Sequence, residues 1–499
     1  MKRRAAGLNG IFWFLATKLA AAAQPEKPEP QIGLVVNDVH SRLNQTQVQR
    51  IVTPGSVEEV QAVVRQARAE GRNISIAGGR HAMGGQQFGA DTILLDTGKM
   101  NRFLSLDRRN GILEVQAGIR WPELLASLER IQWADWPSWS IRQKQTGADR
   151  LSIGGALSAN AHGRGLRFKP MIDDVESFRL VDANGEVLRC SRGENQELFK
   201  LVIGGYGMFG VITDVKLRLV RRQQVQRVVR VIDIQELAPA IEQRIADGYL
   251  YGDFQFMIDP QSDNFLTRGV FSCYRPVSDS TPIPAGQKEL HMDQWSDLFY
   301  LAHTNKRKAF DSYSAYYLST DGQIYWSDTH QLAEYLDNYH EQLDRRLPPE
   351  GRGTEMISEV YVPRNWLARF MNDLRQDLRA SHANIIYGSI RFIEKDQESF
   401  LPWAKDRYAC IIFNLHTAHT PEAIEKTAFD FRQIIARALH YGGSYYLTYH
   451  HWATRVQLLA AYPQFVEFLK LKRKHDPDER FQSEWYRFYR TMFAEDLKP

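Results

Sequence analysis

Cysteine is scarce. Cys190, Cys273 and Cys410 are the only three, far apart and in no metal-ligand spacing. Three cannot all pair within one chain, so a disulfide scaffold is excluded and buried free thiols are expected. No His-x-x-x-His or Cys-x-x-Cys arrangement argues for a metal. Excess charge is also missing: 63 basic residues against 59 acidic ones give a net charge of only +4. The basic residues are scattered among acids and form no stripe, which leaves nucleic-acid binding little support. Their densest run, residues 470–475, ends a helical pattern just before Asp476 and Pro477 and reads as a solvated helix end. Internal repeats and low-complexity tracts are absent, and no apolar run is long enough for a comfortable membrane span.

What is present is enough chain for more than one packed unit, since single cores stop growing well below 499 residues. Lys2, Arg3 and Arg4 precede an apolar stretch over residues 5–17 and then a run of alanines ending at Ala23. That order matches an export signal over 1–23, with an uncleaved amphipathic anchor as the alternative. The Arg3-Arg4 pair hints at the twin-arginine route. A linker rich in Pro and Glu is expected next, reaching residue 44. Ser56 caps the first strong helix and Glu59 completes a capping box, with Val57, Val60, Val64 and Ala67 on one face. Strands are expected over 73–77, 92–97 and 112–117, and a helix opens at Trp121 with Pro122 in its first turn. From about residue 223 glycine thins and aromatics thicken, with helices expected over 332–347 and 365–380. From Gly442 onward Tyr, His and Trp become dense again.

Three glycine-rich stretches dominate the first half: residues 78–85, 152–165 and 204–210. The third contains Gly205, Gly207 and Gly210 in the pattern Gly-x-Gly-x-x-Gly. A Rossmann turn needs a strand before it and a helix after it. Here a helical segment (195–202) precedes and an alternating strand (215–219) follows, so the Rossmann reading fails. No P-loop Lys-Ser/Thr pair follows any of the loops, which argues against a nucleoside triphosphate. Several loops without Cβ atoms suit a long diphosphate cofactor whose oxygens approach backbone N–H groups. Tight turns between strands are the alternative for any single loop.

These three ordered motifs resemble the vanillyl-alcohol-oxidase-like, PCMH-type superfamily of FAD-linked oxidoreductases, over residues 45–222. Gly78, Gly79, Arg80, His81, Ala82, Met83, Gly84 and Gln86 are similar to its loop around the FAD pyrophosphate. The resemblance implies FAD as cofactor, with His81 standing where covalent members bond the 8-methyl group of the isoalloxazine. Ser152, Gly154, Gly155, Ser158, Ala159, His162 and Gly163 resemble the second loop, beside the flavin's reactive ring. Gly205, Gly207, Gly210, Val211 and Ile212 resemble the third, and Gly118 is taken as a further cofactor-side residue. Gly147, Ala148 and Asp149 stand where bicovalent relatives carry a cysteine, so no second tether is expected. The C-terminal part is closest in pattern to alditol and aldonolactone oxidases, through residues 358–364, 387–392 and 450–454. Ser389 replaces the glutamate of their Glu-x-Arg strand, and Thr454 the lysine of their His-Trp-Gly-Lys segment. Two polyol-reading charges are gone, so the scaffold is expected without a simple alditol or aldonolactone substrate.

The implied fold is α+β. A two-subdomain FAD-binding domain (45–222) is followed by a substrate domain with an antiparallel sheet (223–441) and a returning segment (442–499). The implied function is oxidation of a hydroxyl-bearing small molecule by hydride transfer to flavin, reoxidised by oxygen or an electron-carrier acceptor. Arg391 is a candidate for charge stabilisation or substrate orientation. His451, Tyr449 and Glu359 are candidates for base or hydrogen-bond donor. Glu359 and Tyr361 lie on a strand, where alternation lets one set of side chains face the ring. His162 reads as a core histidine shaping the second loop. Two alternatives stay open: a noncovalent flavin dehydrogenase acting on a lipid-linked or sterol-like substrate, and a binding protein on a degenerate flavoenzyme fold.

Overall fold

The computed structural model describes residues 31–135, 137–333, 339–347 and 352–498. The leader expected over 1–23 and the first part of the linker lie outside them. Two sheets build the first half. The smaller has four strands in the order Gln31–Val36, Thr46–Val52, Ile93–Asp96, Ile74–Ala77. Its first pair is antiparallel and the other two pairs are parallel. The linker expectation needs correcting here. From Gln31 the chain is already a strand, because Ile32 and Leu34 find pairing partners in Arg50 and Val48. The larger sheet has five antiparallel strands: Phe103–Asp107, Ile112–Gln116, Val211–Arg218, Val175–Val181 and Val187–Ser191.

The helix Val57–Ala69 covers the smaller sheet. It starts where the capping box placed it: Ser56 accepts a hydrogen bond from the Glu59 N–H, and Glu59 reaches back to the Gly55 N–H at 2.7 Å. Its face of Val57, Val60, Val64 and Ala67 is buried. The third glycine loop follows the helix Gln196–Val202 and leads into the strand Val211–Arg218, so its context is helix–loop–strand.

The second half is organised by one eight-stranded sheet whose neighbours all pair antiparallel. Its order is Ile324–Trp326, Gln224–Asp233, Arg268–Pro276, Tyr251–Phe256, Ile385–Ile393, Tyr408–Ala418, Gly353–Pro363, Ser444–Tyr445. The helices Leu367–Ala380 and Pro421–His440 pack on it through buried apolar faces. Of the helix expected over 332–347, Leu332 and Ala333 are not helical and Tyr339–Arg346 is. The architecture is α+β, with its two larger sheets antiparallel throughout. The three cysteines are free and buried. No helix among the described residues is long and apolar enough to cross a membrane.

The end of the chain returns to the beginning. Ile74 donates to the Arg480 carbonyl and receives from the Gln482 N–H, and the Glu484 N–H donates to the Phe88 carbonyl at 2.7 Å. This return is fixed by a buried ion pair between Lys472 and Asp476. Asp476 also accepts from the N–H groups of Arg480 and Phe481, so each of its oxygens is used. Trp485, Phe465 and Tyr489 then pack together, sealing the helix Glu484–Met492 against the core.

Candidate active site

The first glycine loop leaves the strand Ile74–Ala77 at its C-terminal end. A Cβ on Gly78 would collide with the Ser152 hydroxyl, the N-cap of the helix Ile153–Ser158. Loops one and two therefore touch, and only a residue without a side chain permits it. Loop three is tied to loop two by backbone bonds, from the Gly204 N–H to Leu157 O and from the Tyr206 N–H to Ser158 O, both 3.0 Å. Arg80 takes a left-handed conformation and is held by a 2.8 Å ion pair to Asp96. Gln86 donates to Leu447 O, which joins loop one to the C-terminal segment.

The loops open onto a cavity of about 850 Å³. Residues 78–83, Gln86, Ser152, Gly154, Gly155, Ser158, Ala159, His162, Gly207, Gly210 and Ile212 line it, as do Glu359, Arg391 and Tyr449. Gly84, Gly118, Gly163, Gly205 and Val211 do not line it. They stand behind the wall, where Gly84 and Gly118 abut the carbonyls of Tyr449 and Thr97. His451 also stays outside the lining. Its Nδ1 is 3.2 Å from Gly84 O and its ring lies 4.1 Å from that of Phe488, so it joins the closing helix to the loop. Burial lowers its pKa. Its neighbour His450 is pushed down to about 3 by burial and stacks on Trp452.

The opposite wall is one face of the eight-stranded sheet. Gln255 opposes Ser389, which opposes Ile412, which opposes Glu359, so these four side chains form a row across four strands. The Glu359 carboxylate is buried and fully engaged. Its Oε1 lies 2.6 Å from His162 Nε2 and accepts from Tyr361 OH at 3.0 Å, while Oε2 accepts from Tyr449 OH at 3.1 Å. Burial alone would raise this carboxyl, but His162 first, and Arg391, hold it below the usual carboxylate range. His162 Nδ1 faces Gly163 O at 3.1 Å, so both ring nitrogens point at acceptors and the ring donates to the ionised carboxylate. Trp403 packs against His162 and Tyr361 with centroids 4.9 and 4.5 Å apart. Burial and then Glu359 push Tyr449 well above an ordinary phenol.

His81 sits where loop one meets the cavity. Its Nδ1 is 2.8 Å from His40 Nε2. Burial, then the neighbouring His40 and Arg120, depress its pKa strongly, so the ring is neutral at neutral pH.

Residues 48–191 match the family model described as an FAD binding domain, and residues 355–489 match that of D-arabinono-1,4-lactone oxidase. The L-gulono-1,4-lactone dehydrogenase of Mycobacterium tuberculosis is 25% identical over 443 residues, 88% of this chain and 95% of the relative. The L-gulonolactone oxidase of Bos taurus is 27% identical over 212 residues, 42% of this chain and 46% of the relative. The mitochondrial L-galactono-1,4-lactone dehydrogenase of Arabidopsis thaliana is 26% identical over 197 residues, 40% of this chain and 31% of the relative. The chain is an FAD-linked oxidoreductase of the PCMH-type superfamily.

This flavoenzyme acts on CH–OH groups as an oxidase or dehydrogenase. The residues present fit FAD: three glycine loops, the first packed on the second and the second bonded to the third, form one wall of a cavity whose volume is typical of a ligand site. Sequence reasoning missed His40, Asp253, Gln255 and Tyr446; it read His162 as a core histidine shaping the second loop, and the structure buries it there with its Nε2 set against Glu359. A signal existed for several of them. Polar residues spaced by two in otherwise apolar strands (Asp253 and Gln255; Tyr387, Ser389 and Arg391) mark a sheet face that meets something polar. For His40 there was none, since it reaches His81 only through the fold.

Proposed function

We propose that this flavoenzyme oxidises a secondary hydroxyl of a lactone or closely related polyhydroxylated small molecule, with Glu359 as the proton-accepting centre. The observation that carries the reading is the buried Glu359 carboxylate. It is aligned by His162, Tyr361 and Tyr449 on the sheet face that confronts the glycine loops. The names of the three relatives described above, each a lactone oxidase or dehydrogenase, support the substrate class.

Bound FAD supplies the two-electron acceptor for the hydride. The three loops would hold it, residues 78–83 and Gln86 from one side, Ser152 to Ala159 from another, Gly207, Gly210 and Ile212 from the third. His81 would carry a covalent tether, since a neutral imidazole has the lone pair that such a bond needs. Glu359 takes the hydroxyl proton, and Tyr449 donates a hydrogen bond that fixes the orientation of Oε2. Arg391, whose Nε is buried without a hydrogen-bond partner among the described residues, orients the oxygen-rich part of the substrate. Asp253 and Gln255 line the same wall and would read further hydroxyls. Under this reading the four- and five-stranded sheets are the two FAD-binding subdomains, oxygen or an electron carrier takes the electrons, and the leader directs export.

A second reading is favoured by one feature. Beyond the polar wall the cavity continues between the helices Met292–Thr304 and Lys306–Ser319, where Leu290, Trp295, Leu298, Phe299 and Phe310 line it. An apolar arm suits a substrate with a greasy body, lipid-linked or sterol-like. Anaerobic flavin bleaching with aldonolactones, sugar acids, simple alcohols and hydroxylated apolar compounds separates the two. Fast bleaching by lactones supports the first reading, and bleaching by apolar alcohols alone overturns it in favour of the second. Readmission of air then distinguishes an oxidase, which recolours fast, from a dehydrogenase.

A further inference from the structure

A second carboxylate on the same strand is surrounded by histidines that the oxidation chemistry leaves aside. Glu355 lies four residues before Glu359 in Gly353–Pro363, buried at the edge of the cavity. His303 Nε2 and His416 Nδ1 stand 3.2 and 3.1 Å from its Oε1, and His340 Nδ1 stands 3.0 Å from its Oε2. The histidines come from three distant places: the helix Met292–Thr304, the strand Tyr408–Ala418 and the helix Tyr339–Arg346. His416 is directly opposite Glu355 in the strand register.

The protons at His303 restrict what this cluster can be. Its Nδ1 is 2.8 Å from the Phe299 carbonyl, which can only accept, so Nδ1 carries the hydrogen. With no second hydrogen on the ring, Nε2 would turn a bare lone pair toward a carboxylate oxygen, which also only accepts. The 3.2 Å contact therefore calls for a cation, either a second proton, as in the donation from His162 to Glu359, or a metal ion. Fixing Nδ1–H on a backbone carbonyl is the outer-shell arrangement that makes Nε2 a metal ligand. Spacing agrees: a tetrahedral ion with bonds of about 2.0–2.1 Å holds its donors about 3.3 Å apart, and the pairs seen here are 3.1 and 3.2 Å. The donor atoms of His303, Glu355 and His416 all lie within 4.8 Å of one another.

We propose that His303, His416 and Glu355 bind a divalent transition-metal ion of the zinc class, while His340 holds the second carboxylate oxygen of Glu355 from behind. Imidazole nitrogen and carboxylate oxygen are the ligand set such an ion prefers. The site ties the helix Met292–Thr304, one wall of the apolar arm, to two strands of the substrate sheet. The ion therefore acts as a staple that sets the shape of the arm, apart from the flavin and Glu359. The alternative occupant is a proton on His303.

The test uses untagged full-length flavoenzyme, stripped with a chelator and titrated with Co²⁺ and then Zn²⁺. Expected is saturable uptake of about one ion per chain, with Co²⁺ giving intense tetrahedral d–d bands to the red of the flavin absorption. Zn²⁺ should displace these bands and raise Tm. His416→Ala and Glu355→Gln should each weaken binding by about 10- to 100-fold or more while flavin content is kept. Weak octahedral-type Co²⁺ bands or no saturable uptake in the wild-type protein overturns the proposal, whatever the variants do. Undiminished binding in both folded variants overturns the assignment to these residues.

Discussion

Glu359→Gln separates the proton-accepting role of this side chain from its place in the fold. The amide is nearly isosteric, and the hydrogen-bond pattern can survive. Its oxygen keeps the contacts from His162 and Tyr361, while its NH₂ turns to Tyr449, whose hydroxyl rotates from donor to acceptor. Stability should fall by only about 1–2 kcal/mol, the difference between charge-assisted and neutral hydrogen bonds at one buried site. The amide cannot take a proton, so kcat/KM should drop by about 10²- to 10⁴-fold, the usual weight of a positioned base, or about 3–5 kcal/mol of barrier. The assay is anaerobic stopped-flow bleaching of the flavin by the best substrate of the panel. The wild-type pH profile gives an independent check. The Glu359 carboxyl is held below its ordinary range by His162 and Arg391 against burial. The reactive carboxylate thus persists down through mildly acidic pH, and this group's limb appears only below the ordinary carboxylate range. A folded, flavin-loaded Gln variant that bleaches within about threefold of wild type would refute the base assignment.

His81→Ala should leave FAD extractable by acid precipitation, while colour stays in the wild-type pellet; colour retained by the mutant pellet places the attachment elsewhere. Gly78→Ala forces a methyl group into the Ser152 hydroxyl and should cost about 1–3 kcal/mol with reduced flavin per chain. Adding Ser152→Ala should restore part of it, and an unaffected single variant would show that the two loops are not in contact. Asp174 is raised to about 6 by burial, with Arg142 only partly opposing. Its folded pKa lies above the unfolded one, so stability from this group is present below pH ~4 and lost as pH rises through ~6. Asp174→Asn should therefore gain on wild type by up to about 3 kcal/mol between those limits, read from melting at both ends. A gap in Tm that does not change with pH would contradict the burial argument.

Much of the cofactor wall is legible in the chain because it is local. Ser56 with Glu59 marks a helix start within four residues, and a glycine loop is visible wherever its glycines are adjacent in sequence. Even the rejection of a Rossmann turn needs only the order of neighbouring elements. The substrate wall is a different kind of object. Glu359, Ser389 and Gln255 fall in one row because four strands, that of Ile412 included, are in one register, and register is set by long-range pairing that a linear reading does not contain. The same reason misdirects attention to His451. In sequence it sits beside Tyr449, but the turn at 448–452 sends Tyr449 to Glu359 and His451 to Gly84. His162 and Glu359 are far apart in the chain and 2.6 Å apart in space. The strand Gln31–Val36 was hidden for a compositional reason, since the Pro-rich residues just before it suggest a linker that runs on.

The loss of the glutamate at position 389 gains a physical meaning from that register. Phe254 opposes Ile390 and Gln255 opposes Ser389, which brings Asp253 alongside Arg391. Asp253 Oδ1 and Arg391 Nε are both buried without hydrogen-bond partners among the described residues, and both residues line the cavity. Unpartnered polar atoms in such a place cost on the order of 1–3 kcal/mol each, so a wall that keeps two of them is arranged for a molecule that supplies the missing bonds. An acidic and a basic side chain thus still stand side by side across the sheet. Where the aldonolactone-oxidase pattern has a carboxylate on the strand of Arg391, this chain has one on the neighbouring strand Tyr251–Phe256, facing the cavity that the apolar arm continues. A substrate bound there meets hydrogen-bonding groups at one end and aromatic rings at the other, and an unbranched sugar lactone would satisfy only the first.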